Sequence, residues 1–178
     1  VRIGDRNVIR EFVTINRATS ATKVTIVGSD NLIMAYCHIG HDCRVGNKIV
    51  MANTAQLAGH VSIQDWAILG AFTKVHQFCR VGEHVMVGAD VKAVKDIPPF
   101  TLVGREPAKV EGINKVGLKR RGFANDVIFA IDDFYKTLIH SGMNNSDAIA
   151  KVLESGEPCA EVRRCINFIQ ESERGVYR

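Results

Sequence analysis

The sequence predicts a mainly β protein with an α tail: a parallel β-helix over residues 1–106, then a junction and a small helical domain over 107–178. Three observations carry this. An aliphatic residue recurs every six positions through the first half. A second series of smaller side chains follows it four positions behind. From Phe123 the apolar spacing changes to three and four.

Stepping by six from Val27 meets Ile33, Ile39, Val45, Met51, Leu57, Ile63, Leu69, Val75, Val81 and Val87. The same register runs backward through Ala21, Ile15, Ile9 and Ile3, and it fades after Ala93, where Asp96-Ile97-Pro98-Pro99 ends it. The second series includes Val13, Thr19, Thr25, Cys37, Cys43, Ala55, Ala67 and Cys79, most of them small or β-branched. A hexad that turns one large and one small side chain inward is one face of a stacked solenoid, whereas a 3.6-residue period would drift out of phase with a strict six. Glycines such as Gly4, Gly28, Gly40 and Gly82 follow the aliphatic position and are expected at corners with unusual backbone angles. Cys37, Cys43 and Cys79 are expected as small buried volume. The hexads resemble those of the hexapeptide-repeat proteins, and this resemblance implies a left-handed β-helix with three hexads per coil and a trimeric assembly.

In the second half, Val127, Ile128, Ile131, Phe134, Tyr135, Leu138 and Ile139 mark one apolar helix face, stopped by Gly142. A second helix fits Asp147 to Glu154 with Ser146 as its N-cap, and a third fits Ala160 to Glu171. The 178 residues are 46% apolar with a net charge of +4, which excludes a disordered tail, and no apolar run is long enough for a membrane span. Five cysteines without a CxxC pattern point to a reducing, cytoplasmic compartment. The opening Val-Arg-Ile-Gly-Asp reads as the middle of a longer polypeptide. Between Arg105 and Arg121 six basic residues face two acids, a local excess equal to that of the whole chain. Such a cluster suits a solvated surface or an acidic or phosphorylated partner; no nucleic-acid motif accompanies it.

With residues 18 apart stacked, His38, His41, His60 and His76 fall on one edge over successive coils, and His84 points elsewhere. None occupies an inward slot, so each is expected to face solvent or a groove between chains. A neutral imidazole can deprotonate a hydroxyl if a carboxylate orients its other nitrogen, and His41 with Asp42 could do so if the chain turns between them. Zinc binding by three histidines is the rival chemistry.

The segments HIGHDC (38–43), LAGHV (57–61), VHQFC (75–79), DIPPF (96–100) and GLKRRGF (117–123), in this order, resemble the acyl-carrier-protein:UDP-N-acetylglucosamine O-acyltransferases, which begin lipid A synthesis. The resemblance implies transfer of an (R)-3-hydroxyacyl group from acyl carrier protein to the sugar 3-hydroxyl, without cofactor or metal and without membrane insertion, by a homotrimer. It implies His41 as general base, Asp42 as its orienting partner and the Gly59 N–H as oxyanion donor. His38, His60, His76 and Gln77 would contact the sugar or acyl group, Asn114, Arg120 and Arg121 the phosphates, and Ala89 would act as the acyl-length ruler. Val116 stands where relatives can carry a ribose-binding glutamate. The family's N-terminal coils, with further sugar contacts, lie upstream of the first residue. A zinc hydratase of the γ-carbonic-anhydrase type and an inactive acyl-carrier-binding fragment are the alternatives.

Overall fold

The computed structural model describes residues 1–178, and its first half is a solenoid of triangular section. Fifteen two-residue strands build it, β1 to β15 in chain order: Arg2–Ile3, Val8–Ile9, Thr14–Ile15, Ile26–Val27, Leu32–Ile33, His38–Ile39, Arg44–Val45, Val50–Met51, Gln56–Leu57, Ser62–Ile63, Ile68–Leu69, Lys74–Val75, Arg80–Val81, Met86–Val87 and Lys92–Ala93. They stack into three parallel sheets, β1-β4-β7-β10-β13, β2-β5-β8-β11-β14 and β3-β6-β9-β12-β15, the faces of a left-handed β-helix. The second residue of each strand from Val27 onward is the buried aliphatic of the stride, and the smaller series fills the remaining interior. Cys37, Cys43 and Cys79 lie in that core; burial pushes the Cys43 and Cys79 thiols up to about 11.

The corners correct one expectation. The glycines after the aliphatic position do not hold the left-handed backbone. That conformation falls two residues later, on Asp30, Tyr36, Asp42, Lys48, Thr54, His60, Trp66, Phe72, Phe78, His84 and Asp90, with φ between 55 and 65°. The cost of roughly 1 kcal/mol or more at each such residue is offset by a corner hydrogen bond to the coil before, as in Thr54 N–H to Ala35 O (3.0 Å) and Trp66 N–H to Asn47 O (3.0 Å). The glycines answer a different need. A Cβ on Gly28 would lie 2.4 Å from the Gly46 oxygen, and one on Gly40 would lie 2.8 Å from the Leu57 oxygen. Close coil stacking, not backbone angle, selects them.

A second correction concerns register. Later coils pair residues 18 apart, as Ile26 with Arg44, but the first coil pairs Arg2 with Ile26, Val8 with Leu32 and Thr14 with His38, each 24 apart. One hexad between β3 and β4 therefore leaves the solenoid. Ala21 and Thr19, expected inside, are exposed.

Beyond Ala93 an antiparallel hairpin, β16 (Thr101–Gly104) and β17 (Lys109–Ile113), extends the second sheet, and the division expected at 106/107 falls at its tip. Four helices follow: α1 (Lys115–Arg120), α2 (Asn125–His140), α3 (Asn145–Glu154) and α4 (Ala160–Gln170). The hairpin and α1 escaped sequence analysis. The N-cap of α3 is Asn144, whose side chain accepts the Asp147 N–H, rather than Ser146. The helices enclose their own core, joined to the solenoid through Tyr135, whose buried hydroxyl donates to Pro99 O at 2.7 Å. None of these helices is long and apolar enough to cross a membrane.

His84 is buried, contrary to the surface position expected for it. Its ring stacks between Trp66 (5.9 Å) and Phe100 (5.6 Å), with Phe123 edge-on at 4.9 Å. Burial, then the nearby Arg121 and Arg164 charges, lower its pKa to about 4. The unfolded chain thus takes up this proton before the folded one as pH falls.

Two outcomes follow from this packing. Gly28→Ala should destabilise the protein by about 1–3 kcal/mol, read as a lower urea midpoint with an unchanged slope. The stability that neutral His84 contributes is complete above about pH 6.5 and lost as pH falls towards about 4; urea midpoints across that interval should drop, and His84→Phe, which keeps the aromatic stack, should reduce the slope.

Candidate active site

β6 carries His38 and Ile39 into a corner made by His41 and Asp42. Neighbouring side chains on a strand point to opposite faces. Here the left-handed Asp42 (φ 62°) folds its carboxylate back, and Oδ2 lies 2.8 Å from His41 Nδ1. One coil further, His60 occupies the equivalent corner and donates its N–H to His41 O at 2.9 Å. Its ring meets His41 edge-on at 5.2 Å, and Phe78 in the next coil stacks on it at 4.6 Å. Gly59 makes room for this arrangement: a Cβ there would sit 2.5 Å from His41 Cε1 and 2.6 Å from Nε2.

Asp42 is the electrostatic anchor. Its backbone N–H donates to Thr25 Oγ1 (2.9 Å), and its side chain is fully removed from solvent. Burial works to raise its pKa, but hydrogen bonds from Thr22, His41 and Thr19 outweigh it and hold the group well below the usual carboxylate range. An ionised Asp42 takes the proton-bearing Nδ1 of His41, which leaves the Nε2 lone pair directed over Gly59, the disposition a general base needs. His41, Asp42 and His60 also bring ligating atoms within 4.8 Å of one another. The carboxylate, however, already accepts from Thr19 N–H, the Thr19 and Thr22 hydroxyls and His41, so its lone pairs are committed. The donor set fits an acid–base dyad better than a metal centre.

His38 and His76 line one groove along the third sheet with Gln56, Lys74 and Lys92, and Thr14 Oγ1 holds His38 Nδ1 at 2.7 Å. Gln77 is exposed beside His76, and Ala89 is exposed at a different corner, next to Asp90. Asn114, Arg120 and Arg121 lie at the junction with the helices. Asn114 caps α1, accepting the Gly117 N–H, and donates to His84 O at 2.9 Å. Arg121 donates to Trp66 O (3.1 Å) and lies over the Trp66 ring. Arg120 is exposed. The basic segment is partly neutralised, since Arg105 pairs with Glu111 and Lys115 with Asp132. Sequence analysis missed Thr22 and Phe78 as neighbours of the dyad and placed Thr19 inside; only the register slip relocates it.

A family model described as UDP N-acetylglucosamine O-acyltransferase, domain 2, matches residues 96–177. The acyl-[acyl-carrier-protein]–UDP-N-acetylglucosamine O-acyltransferase of Thiobacillus denitrificans is 48% identical over 179 residues, covering 100% of this chain and 69% of that protein. The enzyme of the same name from Herminiimonas arsenicoxydans is also 48% identical, over 99% of this chain and 69% of its own. The solved UDP-N-acetylglucosamine acyltransferase of Francisella novicida superposes with a TM-score of 0.95 at 41% identity, over 99% of this chain and 65% of that one. This chain thus spans about two thirds of the length of these relatives. With that identity along its whole length, on a shared β-helix and helical tail, the chain belongs to the UDP-N-acetylglucosamine O-acyltransferase family.

Proposed function

We propose that this chain carries out the acyl transfer named for its relatives, moving an (R)-3-hydroxyacyl group from the thioester of acyl carrier protein to the 3-hydroxyl of UDP-N-acetylglucosamine, the first step of lipid A biosynthesis. The observation that supports this most is the His41–Asp42 contact of 2.8 Å with Nε2 left free above Gly59. His41 Nε2 takes the proton of the sugar hydroxyl as its oxygen attacks the thioester carbonyl. Asp42 stabilises the imidazolium that forms. The Gly59 N–H donates to the oxyanion of the tetrahedral intermediate. Collapse breaks the carbon–sulfur bond, and the departing thiolate recovers the proton from His41. No redox step or cofactor enters this balance.

His38 and His76, which line the groove along the third sheet, bind sugar or acyl chain with His60 and Gln77, and a second protomer of a homotrimer closes the groove. Arg120 is the exposed cation for a substrate phosphate; Asn114 and Arg121 shape the surface around it. Ala89 sets the far limit of the acyl chain. A cytoplasmic location matches the carrier-bound donor and the five free cysteines.

The test is acyl transfer by the purified protein with hydroxyacyl carrier protein and UDP-N-acetylglucosamine. His41→Ala should lower kcat roughly 100-fold or more with the fold intact, and a variant as fast as the parent would refute the assignment. Prolonged treatment with EDTA should leave the rate unchanged; loss of activity restored by zinc would favour the hydratase-like metal chemistry instead.

A further inference from the structure

The hexad that leaves the solenoid between β3 and β4 has a single destination. Within residues 17–23 the remaining hydrogen bonds are local: Ala21 N–H to Thr19 Oγ1 (3.2 Å), Lys23 N–H to Thr19 O (3.1 Å) and Thr22 Oγ1 near Val24 O (3.2 Å). Each hydrogen bond from this segment to another coil ends on the Asp42 carboxylate. The Thr19 hydroxyl donates to Oδ2 at 2.8 Å, the Thr19 N–H spans both oxygens at 3.2 and 3.1 Å, and the Thr22 hydroxyl donates to Oδ1.

This arrangement settles how the carboxylate is turned. A carboxylate held only by His41 could rotate about its own axis. Thr22 on one oxygen and Thr19 on the other fix its plane, with Oδ2 aimed at His41 Nδ1. Because the excursion is one whole hexad long, β4 and all later strands resume the stride in phase, so the added residues disturb no inward slot. The solenoid does not need them for its core: Thr19 and Ala21 are exposed.

We infer that Thr19 and Thr22, presented by this looped-out hexad, are positioning residues of the acyl transfer, acting through Asp42 to hold His41 in the tautomer and orientation that abstract the sugar proton. The inference rests on the proposed role of His41 and Asp42. Neither threonine touches the reacting atoms. Both contribute charge-assisted hydrogen bonds, the kind whose loss is felt most.

The experiment compares four proteins with the parent in steady-state acyl transfer: Thr19→Val/Thr22→Val, Thr19→Ser/Thr22→Ser, Asp42→Asn, and Asp42→Asn combined with both valines. The double valine variant should lose kcat by about 10- to 100-fold, the scale of hydrogen bonds to a charged group, with both KM values within about twofold. The double serine variant, which keeps the hydroxyls, should stay close to the parent. On the Asp42→Asn background the valines should cost little more, because the partner they act through is gone. The inference is overturned if the double valine variant keeps the parental kcat, if it raises KM instead of lowering kcat, or if its loss adds in full to that of Asp42→Asn. Full activity in Asp42→Asn itself would instead overturn the proposed acid–base pair, which separates the two failures.

Discussion

Coil stacking is the constraint from which the rest of this structure follows. Parallel two-residue strands can pair only if every coil returns to the same place, and that requires a sharp turn at each corner within six residues. Ordinary L-residues in the left-handed region make the turn, and the hydrogen bond each sends to the preceding coil secures it. Because the corners repeat in register, side chains remote in sequence form vertical columns. Asp42, His60 and Phe78 make one column; Lys48, Trp66, His84 and Phe100 make another. The first is partly open and holds Asp42 and His60 beside His41. The second runs from the exposed Lys48 to the buried His84 and Phe100, which pack against Phe123 in the joint between solenoid and tail.

The two columns show how one geometric rule gives opposite results for the same residue type. His60 is half-buried beside His41, with its Nε2 3.6 Å from the Asp42 carboxylate. His84 has aromatic rings on both faces and arginines alongside, so it is held neutral far below its ordinary range. Burial and local charge, rather than the imidazole itself, keep His84 from taking up a proton near neutrality.

Much of this was legible in the amino-acid order because a stride of six is a direct record of coil stacking. Val27, Leu57 and Val87 needed only counting to be assigned to the core, and the phase of His38, His41, His60 and His76 needed only the coil length. What was not legible depends on contacts the stride does not encode. A looped-out hexad keeps the period while leaving the helix, so Thr19 and Ala21 read as interior. The glycines looked like turn residues because smallness and conformational freedom share one amino acid, and the backbone of the neighbouring coil had to be seen to tell them apart. The capping role of Asn114 and the partial burial of Arg121 arise from the α1 junction, whose short helix has too little periodicity to declare itself.

The three thiols enclosed by the rungs also have a practical meaning. Cys37, Cys43 and Cys79 are enclosed among the aliphatic side chains of the solenoid, Cys37 and Cys43 in one hexad after another and Cys79 two coils beyond Cys43, all three raised in pKa, while Cys159 lies nearer the surface on the tail. An alkylating agent therefore distinguishes superficial access from separation of the coils. The rate at which it labels the enclosed sulfurs becomes a clock for how often, and from which end, the stack opens.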